Sequence, residues 1–102
     1  GRQVDGATST IAALPKIAGA VDGQVPIVVD SGVRTGADAF KALALGATAV
    51  GIGRPHCYAL ALAGEHGVRE VLENFQADLD LTMGLAGCRS VSEIGPETLE
   101  AL

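Results

Sequence analysis

The feature of this sequence that most constrains its fold is a pattern that occurs twice in succession. Residues 25–29 are a short apolar run rich in β-branched side chains, and residues 30–34 follow with glycine beside arginine. Residues 48–52 and 53–55 repeat this order. Each repeat leads toward a stretch with helical periodicity, so the sequence predicts two consecutive strand–loop–helix units. Such alternation is typical of α/β proteins with a parallel sheet.

The expected helices have recognisable ends. Residues 8–21 carry apolar side chains at helical spacing, with Pro15 inside as either a kink or a second start. Thr35 and Asp38 have the spacing of a capping box for the next helix, which Gly46 is expected to end. After a longer connection, a third helix is predicted from an apolar stripe that ends near Gly84 and Gly87: Val68, Val71, Leu72, Phe75, Leu79 and Met83.

The C-terminal residues predict only short structure. Ser90 and Glu93 have the spacing of a second capping box, and Pro96 is suited to open a last turn.

Two parallel strands cannot close a sheet, so the alternatives are part of a doubly wound sheet or part of a (β/α)8 barrel. Two consecutive glycine–arginine loops at strand ends, the last pair before the chain ends, favour the seventh and eighth units of a barrel. We therefore expect residues 1–102 to be the C-terminal part of one barrel domain, about its last two to two and a half units.

Composition excludes several classes of protein. Seven Lys and Arg against twelve Asp and Glu give a net charge of −5, which argues against a nucleic-acid surface. The sequence lacks an apolar stretch of membrane-spanning length, so a cytoplasmic protein is expected, with peripheral membrane attachment as an alternative. Cys57 and Cys88 are predicted to be buried free thiols, and no metal site is expected.

The doubled glycine–arginine pattern indicates an anion site. Glycine permits close approach of backbone N–H groups to a ligand, and a guanidinium offers planar donors to phosphate oxygens. The candidate residues are Asp30, Ser31, Gly32, Val33, Arg34, Gly53 and Arg54. Structural or surface roles are expected for His56 and His66, and a packing role for Tyr58.

Four segments resemble one family, the FMN-dependent α-hydroxy acid oxidising enzymes. They read GRQVD from Gly1, DSGVRTGAD from Asp30, KALALGATAVGIGRP from Lys41 and GLAGCRS from Gly84. Within that family, Ser31 and the TGAD and VGIGRP wording favour the lactate-using branch, in particular lactate 2-monooxygenase and L-lactate dehydrogenase.

The resemblance implies FMN as cofactor and assigns roles to the candidate residues. Gly32, Arg34, Gly53 and Arg54 would grip the FMN phosphate, Asp30 would meet the ribityl hydroxyls, and Arg2 would pair with the substrate carboxylate. The family's catalytic histidine lies three residues before this arginine, hence before Gly1. No catalytic base is therefore expected within residues 1–102, and the piece alone is expected to be inactive.

The implied reaction converts a short L-2-hydroxy acid to a 2-oxo acid or, by monooxygenase chemistry, to a decarboxylated acid. Oxygen, a quinone or a cytochrome would accept the electrons, and the parent protein would be a homo-oligomer. Two alternatives stay open. One is another FMN barrel such as type 2 isopentenyl diphosphate isomerase, and the other is a structural piece without activity.

Overall fold

The predicted α/β class with parallel strands is confirmed by the computed structural model, which describes residues 4–100. Val28 pairs with Ala49 and Val29 with Val50 in a parallel two-stranded sheet. The elements in chain order are α1 (Thr10–Val21), β1 (Val28–Val29), α2 (Gly36–Ala44), β2 (Ala49–Val50) and α3 (Arg54–Ala86), followed by 3-10 turns at Val91–Glu93 and Pro96–Thr98.

Both strands are shorter than the predicted residues 25–29 and 48–52. Pro26 has no N–H to donate, and the Ile27 N–H donates to the Thr48 side chain, 3.0 Å away, instead of to a strand backbone. Among residues 4–100, the first strand is covered on one face only. Val29 is buried, whereas Val28 on the opposite face is 66% exposed.

Helix α1 begins at Thr10, and Ser9 caps it. The Ser9 hydroxyl accepts from the Ala12 N–H at 3.4 Å, and the helix runs on through Pro15. Leu14 is the buried residue of α1, and it packs in a core cluster with Val29, Ala42 and Ala47. The first helix thus covers the buried face of β1.

Helix α2 begins and ends as predicted. The Thr35 hydroxyl accepts from the Asp38 N–H at 3.2 Å, and the Asp38 carboxylate accepts from the Thr35 N–H at 3.1 Å, completing the capping box. Gly46 follows the last turn with a left-handed backbone (φ 103°), and its N–H donates to the Leu43 carbonyl.

The prediction of a loop at residues 53–55, followed by a longer connection, is wrong, because α3 begins within that loop. The chain is helical from Arg54, because Pro55 lacks an N–H and has a fixed φ that suit a first helical turn. Ala63 and Gly64 then break the helical geometry and divide α3 into two segments. Gly67 lies against the Ala59 carbonyl, where a Cβ would overlap it, so a glycine lets the two segments pack closely.

A second core cluster joins α2 to the C-terminal half of α3. Phe40, Met83 and Cys88 are buried there, against partly buried Leu79, Ile94 and Leu99. The predicted apolar stripe of α3 is correct except at Leu72, which is 45% exposed because no described element covers that part of the helix.

The predicted Ser90–Glu93 capping box is wrong. Glu93 accepts from the Arg89 N–H at 2.8 Å and from the Arg89 guanidinium at 2.9 Å, one residue before the expected donor. The segment is a single 3-10 turn, and the Arg89 side chain adds a charged donor that Ser90 lacks. The turn predicted at Pro96 is present.

Candidate anion-binding site

All seven residues predicted to bind the cofactor line one cavity of about 410 Å³. Two stretches of chain form it, the loop after β1 and the start of α3. Gly51 lies at the point where they meet, since a Cβ on Gly51 would lie 3.3 Å from the Asp30 Cβ. The cavity therefore lies at the carboxyl ends of both strands, where ligands bind in parallel α/β proteins.

The loop after β1 has an unusual backbone. Ser31 (φ 73°) and Gly32 (φ 88°) are both left-handed, a conformation that serine adopts at a cost of about 1–2 kcal/mol. The Thr10 hydroxyl of α1 donates to the Ser31 carbonyl at 3.1 Å, and the Val33 side chain is buried. These two contacts hold the strained loop in place, so its shape is set before any ligand binds.

The start of α2 is not open to an anion. The Asp38 carboxylate accepts from the Arg34 N–H at 3.0 Å as well as from Thr35, and Asp78 of α3 accepts from the Ala37 N–H at 3.0 Å. The Asp38 N–H itself donates to the Thr35 hydroxyl. Four backbone donors at this helix start therefore already have protein acceptors.

The start of α3 differs from that of α2. Gly53 occupies its N-cap position, and no side chain caps the helix there. Arg54, Pro55 and Cys57 of this first turn line the cavity. An uncapped helix N-terminus carries partial positive charge and attracts anions, so α3 is the helix that offers its backbone dipole to the cavity.

Two guanidiniums add full charges to this site. Arg34 and Arg54 are both exposed, and within residues 4–100 neither forms an ion pair with a carboxylate. Asp30 is the one acidic residue among those that line the cavity. Two cationic groups against one carboxylate give the site a local charge of +1 in a chain of net charge −5. This arrangement suits an anion with adjacent hydroxyl groups.

A second cavity of about 620 Å³ adjoins the first and shares Ser31, Gly32, Val33 and Arg54 with it. It extends from these residues toward the first turn of α1 and the Lys41 side chain of α2. A ligand longer than a phosphate group therefore has space beyond the anion site.

Several other predictions can be compared with the structure. Cys88 is buried as predicted, but Cys57 is exposed because it lies in the first turn of α3 at the cavity. Tyr58 is 62% exposed, so its predicted packing role is wrong for the described residues. His56 is half-buried, with its Nε2 3.5 Å from the Cys57 Sγ, and His66 is exposed as expected.

Two absences hold for the described part of the chain. Within residues 4–100, no cluster of three His, Cys, Asp or Glu side chains could hold a metal ion. Over the same residues, no helix combines the length and apolar character needed to cross a bilayer. Arg2, predicted to bind the substrate, lies outside the described residues.

Sequence reasoning missed two contributors to this site, Thr10 and Asp78. Neither had a local signal, since their contacts join residues 21 and 41 positions apart. Such distant pairs depend on how the helices pack.

Comparison with known proteins identifies the family. The sequence matches the FMN-dependent dehydrogenase family over residues 1–101. The chain belongs to the FMN-dependent dehydrogenase family. The predicted cofactor, FMN, is thereby confirmed for the family.

Curated relatives of this FMN-dependent dehydrogenase chain are hydroxy-acid oxidases by name. An L-lactate oxidase of Lactobacillus jensenii is 52% identical over 92% of this chain and 23% of its own length. A peroxisomal (S)-2-hydroxy-acid oxidase of Oryza sativa subsp. japonica is 55% identical over 91% of this chain and 25% of its own. The chain thus spans about a quarter of the length of these relatives.

Solved structures of the family share this fold. Mandelate oxidase with a monooxide FMN adduct has a TM-score of 0.84 and 49% identity, covering 87% of this chain and 28% of that one. A Pediococcus acidilactici protein described as a lactate oxidase has a TM-score of 0.87 and 45% identity, covering 91% of this chain and 26% of that one.

Proposed function

We propose that residues 1–102 anchor the phosphate of FMN in an oxidoreductase that converts a short L-2-hydroxy acid, such as lactate, to a 2-oxo acid. The observation that carries this proposal is the single cavity that brings together all seven predicted residues. Membership of an FMN-dependent family supports the identity of the anion.

The residues present fit the phosphate end of FMN. The Arg34 and Arg54 guanidiniums would pair with phosphate oxygens from two sides of the cavity, and the start of α3 would add its backbone donors. The Asp30 carboxylate, at the end of β1, would accept hydrogen bonds from ribityl hydroxyls. The adjoining cavity, bordered by Ser31–Val33, gives space for the rest of an elongated cofactor.

The redox chemistry belongs to the cofactor, which when bound accepts two electrons from the α-carbon of the substrate. The role we assign to this chain is to position the cofactor and the substrate. Arg2 would hold the substrate carboxylate, since a guanidinium binds a carboxylate through two parallel hydrogen bonds. The base that accepts the substrate proton would come from outside residues 1–102.

The two strands are proposed to be the last two of a (β/α)8 barrel in a homo-oligomeric cytoplasmic protein. The relatives named above are oxidases, which favours oxygen over a quinone or cytochrome as electron acceptor. They also favour a hydroxy-acid substrate over the isomerase alternative. Anaerobic L-lactate should bleach the flavin of the full-length FMN-bound protein, and no bleaching with any short L-2-hydroxy acid would refute the substrate class.

The phosphate site is tested by comparing FMN with riboflavin, which lacks the phosphate. Arg34→Gln and Arg54→Gln in the full-length protein each remove a charge-assisted contact worth about 1.5–3 kcal/mol, so FMN affinity should fall about 10- to 100-fold. Riboflavin affinity should stay nearly constant. Fluorescence titration of the apoprotein measures both.

Arg69→Gln is the matched control. Arg69 also lies on α3, but it pairs with Glu65 at 3.3 Å on the exposed side, away from the cavity. FMN affinity should be unaffected by this change. Equal losses of FMN and riboflavin affinity in the Arg34 and Arg54 variants, or no loss, would contradict the assignment.

A further inference from the structure

Asp78 connects two helices at a point close to the candidate site. Its carboxylate Oδ2 accepts a hydrogen bond from the Ala37 N–H at 3.0 Å, although the two residues are 41 positions apart. Asp78 is half-buried and does not line the cavity. Any effect of this side chain on a ligand in the cavity must therefore pass through the backbone of α2.

Close packing of α2 on α3 makes this hydrogen bond feasible. Gly36, the first residue of α2, is buried, and a Cβ there would overlap the backbone N of Leu79 and lie 2.6 Å from the Asp78 carbonyl carbon. The absence of a side chain at Gly36 thus lets the start of α2 rest directly on the α3 backbone. The Asp78 carboxylate then meets the next N–H along the chain.

With this contact, the N–H groups of Arg34, Thr35 and Ala37 all donate to carboxylates, and these hydrogen bonds fix the chain from Arg34 to Asp38. Asp38 holds the N–H groups of Arg34 and Thr35 from within α2, and Asp78 holds that of Ala37 from α3. The Thr35–Asp38 capping box fixes the shape of this turn. The Asp78 hydrogen bond fixes its position relative to α3.

We propose that Asp78 is a positioning residue for the phosphate end of the cavity. Arg34 lies two residues before α2, so the Asp78–Ala37 bond fixes the chain that carries this guanidinium against the C-terminal segment of α3. In this role, Asp78 sets the position of Arg34 at the cavity. The inference rests on the proposed function, in which the Arg34 and Arg54 guanidiniums bind one phosphate.

A purely structural role for Asp78 predicts something different. Loss of packing or helix stability would lower the melting temperature and weaken FMN and riboflavin alike. Displacement of Arg34 from the cavity should weaken FMN selectively, because riboflavin has no phosphate. The ratio of FMN to riboflavin affinity therefore separates the two roles.

The test uses the full-length apoprotein with FMN and riboflavin as probes. Asp78→Ala should reduce the affinity ratio about tenfold, since one partner of a half-buried hydrogen bond is lost. Asp78→Asn keeps an acceptor oxygen at the same reach and should retain the ratio within about threefold. Ala37→Pro removes the donor instead, at a first-turn position where proline is tolerated, and it serves as the second variant if Asp78→Ala does not fold.

Three controls complete the design. Asp80→Ala removes an exposed carboxylate from the same helix and should leave the ratio unchanged. Met83→Ala destabilises the same core without touching the donor set, so it should lower the melting temperature but not the ratio. Arg34→Gln reports on the phosphate site itself.

The outcomes distinguish the two claims. A reduced ratio in Asp78→Ala or Ala37→Pro, with recovery in Asp78→Asn, supports the positioning role. A ratio in those variants equal to that of Met83→Ala overturns it while the proposed function stands. An unchanged ratio in Arg34→Gln would overturn the proposed phosphate site and the positioning role with it.

Discussion

The backbone and the side chain of Arg34 have different roles. Its backbone N–H donates to the Asp38 carboxylate at 3.0 Å, while its guanidinium borders the cavity without an ion-pair partner among residues 4–100. The capping box therefore supports the candidate site as well as the helix. A change at Asp38 should affect both.

The pKa of Asp38 determines how this support depends on pH. Partial burial raises the pKa of the carboxyl group, but hydrogen bonds from the Arg34 and Thr35 N–H groups and the Thr35 hydroxyl, with the charge of Lys41, lower it more. The net pKa lies below its ordinary value. The folded state thus binds this proton less readily than the unfolded state does, and the resulting stability is complete above the ordinary pKa and lost as pH falls through the lowered one.

Asp38→Asn should consequently destabilise the protein most at neutral pH. Loss of the charged cap is expected to cost about 1 kcal/mol at pH 7, and the difference from the unmodified protein should shrink below pH about 3.9. Urea unfolding at pH 7 and pH 3 measures it. Asp80→Asn, an exposed change on α3, should show little effect at either pH. A difference that is the same at both pH values would refute the assignment.

Structural features that depend on neighbouring residues were the most predictable from the sequence. The Thr35–Asp38 box and the Gly46 stop depend on neighbours a few positions away, and both predictions are confirmed. Cys57 was predicted to be buried because free cysteines usually are. Its exposure follows from the position of α3 against the cavity, which no local signal gives.

At the scale of elements, the close approach of α2 to α3 depends on Gly36. Gly36→Ala should destabilise the protein by about 1–3 kcal/mol, because the new methyl group would push the Leu79 backbone away. Gly84→Ala is the matched control: it lies inside α3 with open space around it, so it should gain up to about 1 kcal/mol. Thermal unfolding compares the two, and equal effects of both alanines would show that Gly36 is not a packing position.

Element boundaries were less predictable than element types. The alternation of strands and helices was clear from the sequence, yet the strands are only two residues long because each has a single neighbour within residues 4–100. The start of α3 at Arg54 was missed because Gly53 beside Arg54 was interpreted as a loop. The bend lies at Ala63 and Gly64, and Gly64 has a left-handed φ of 59°.

For the whole molecule, surface area indicates that this chain leaves apolar faces uncovered. Its accessible surface is 7204 Å², compared with about 5,300 Å² for a compact protein of 10.2 kDa. Val28 on the open face of the sheet and Leu62 on α3 are 66% and 87% exposed. Both edges of the two-stranded sheet also lack a neighbour among the described residues.

The isolated 102-residue chain should accordingly associate in solution. Sedimentation velocity is expected to show species larger than 10.2 kDa. Val28→Lys should reduce the association by placing a charge on the open face. A monodisperse monomer with a cooperative unfolding transition would contradict this expectation.

The architecture of the whole sheet was less predictable from the sequence than its parallel strands. Two strand–loop–helix repeats alone fit more than one α/β architecture, so the number of further strands had to be inferred from the fold class.

The central claim is that the loop after β1 and the start of α3 together hold the FMN phosphate. The most direct measurement is a crystal structure of the full-length protein with FMN bound. We predict phosphate oxygens within about 3 Å of donors on both Arg34 and Arg54, with Asp30 facing the ribityl chain. A phosphate bound elsewhere, or held by neither arginine, would contradict the claim.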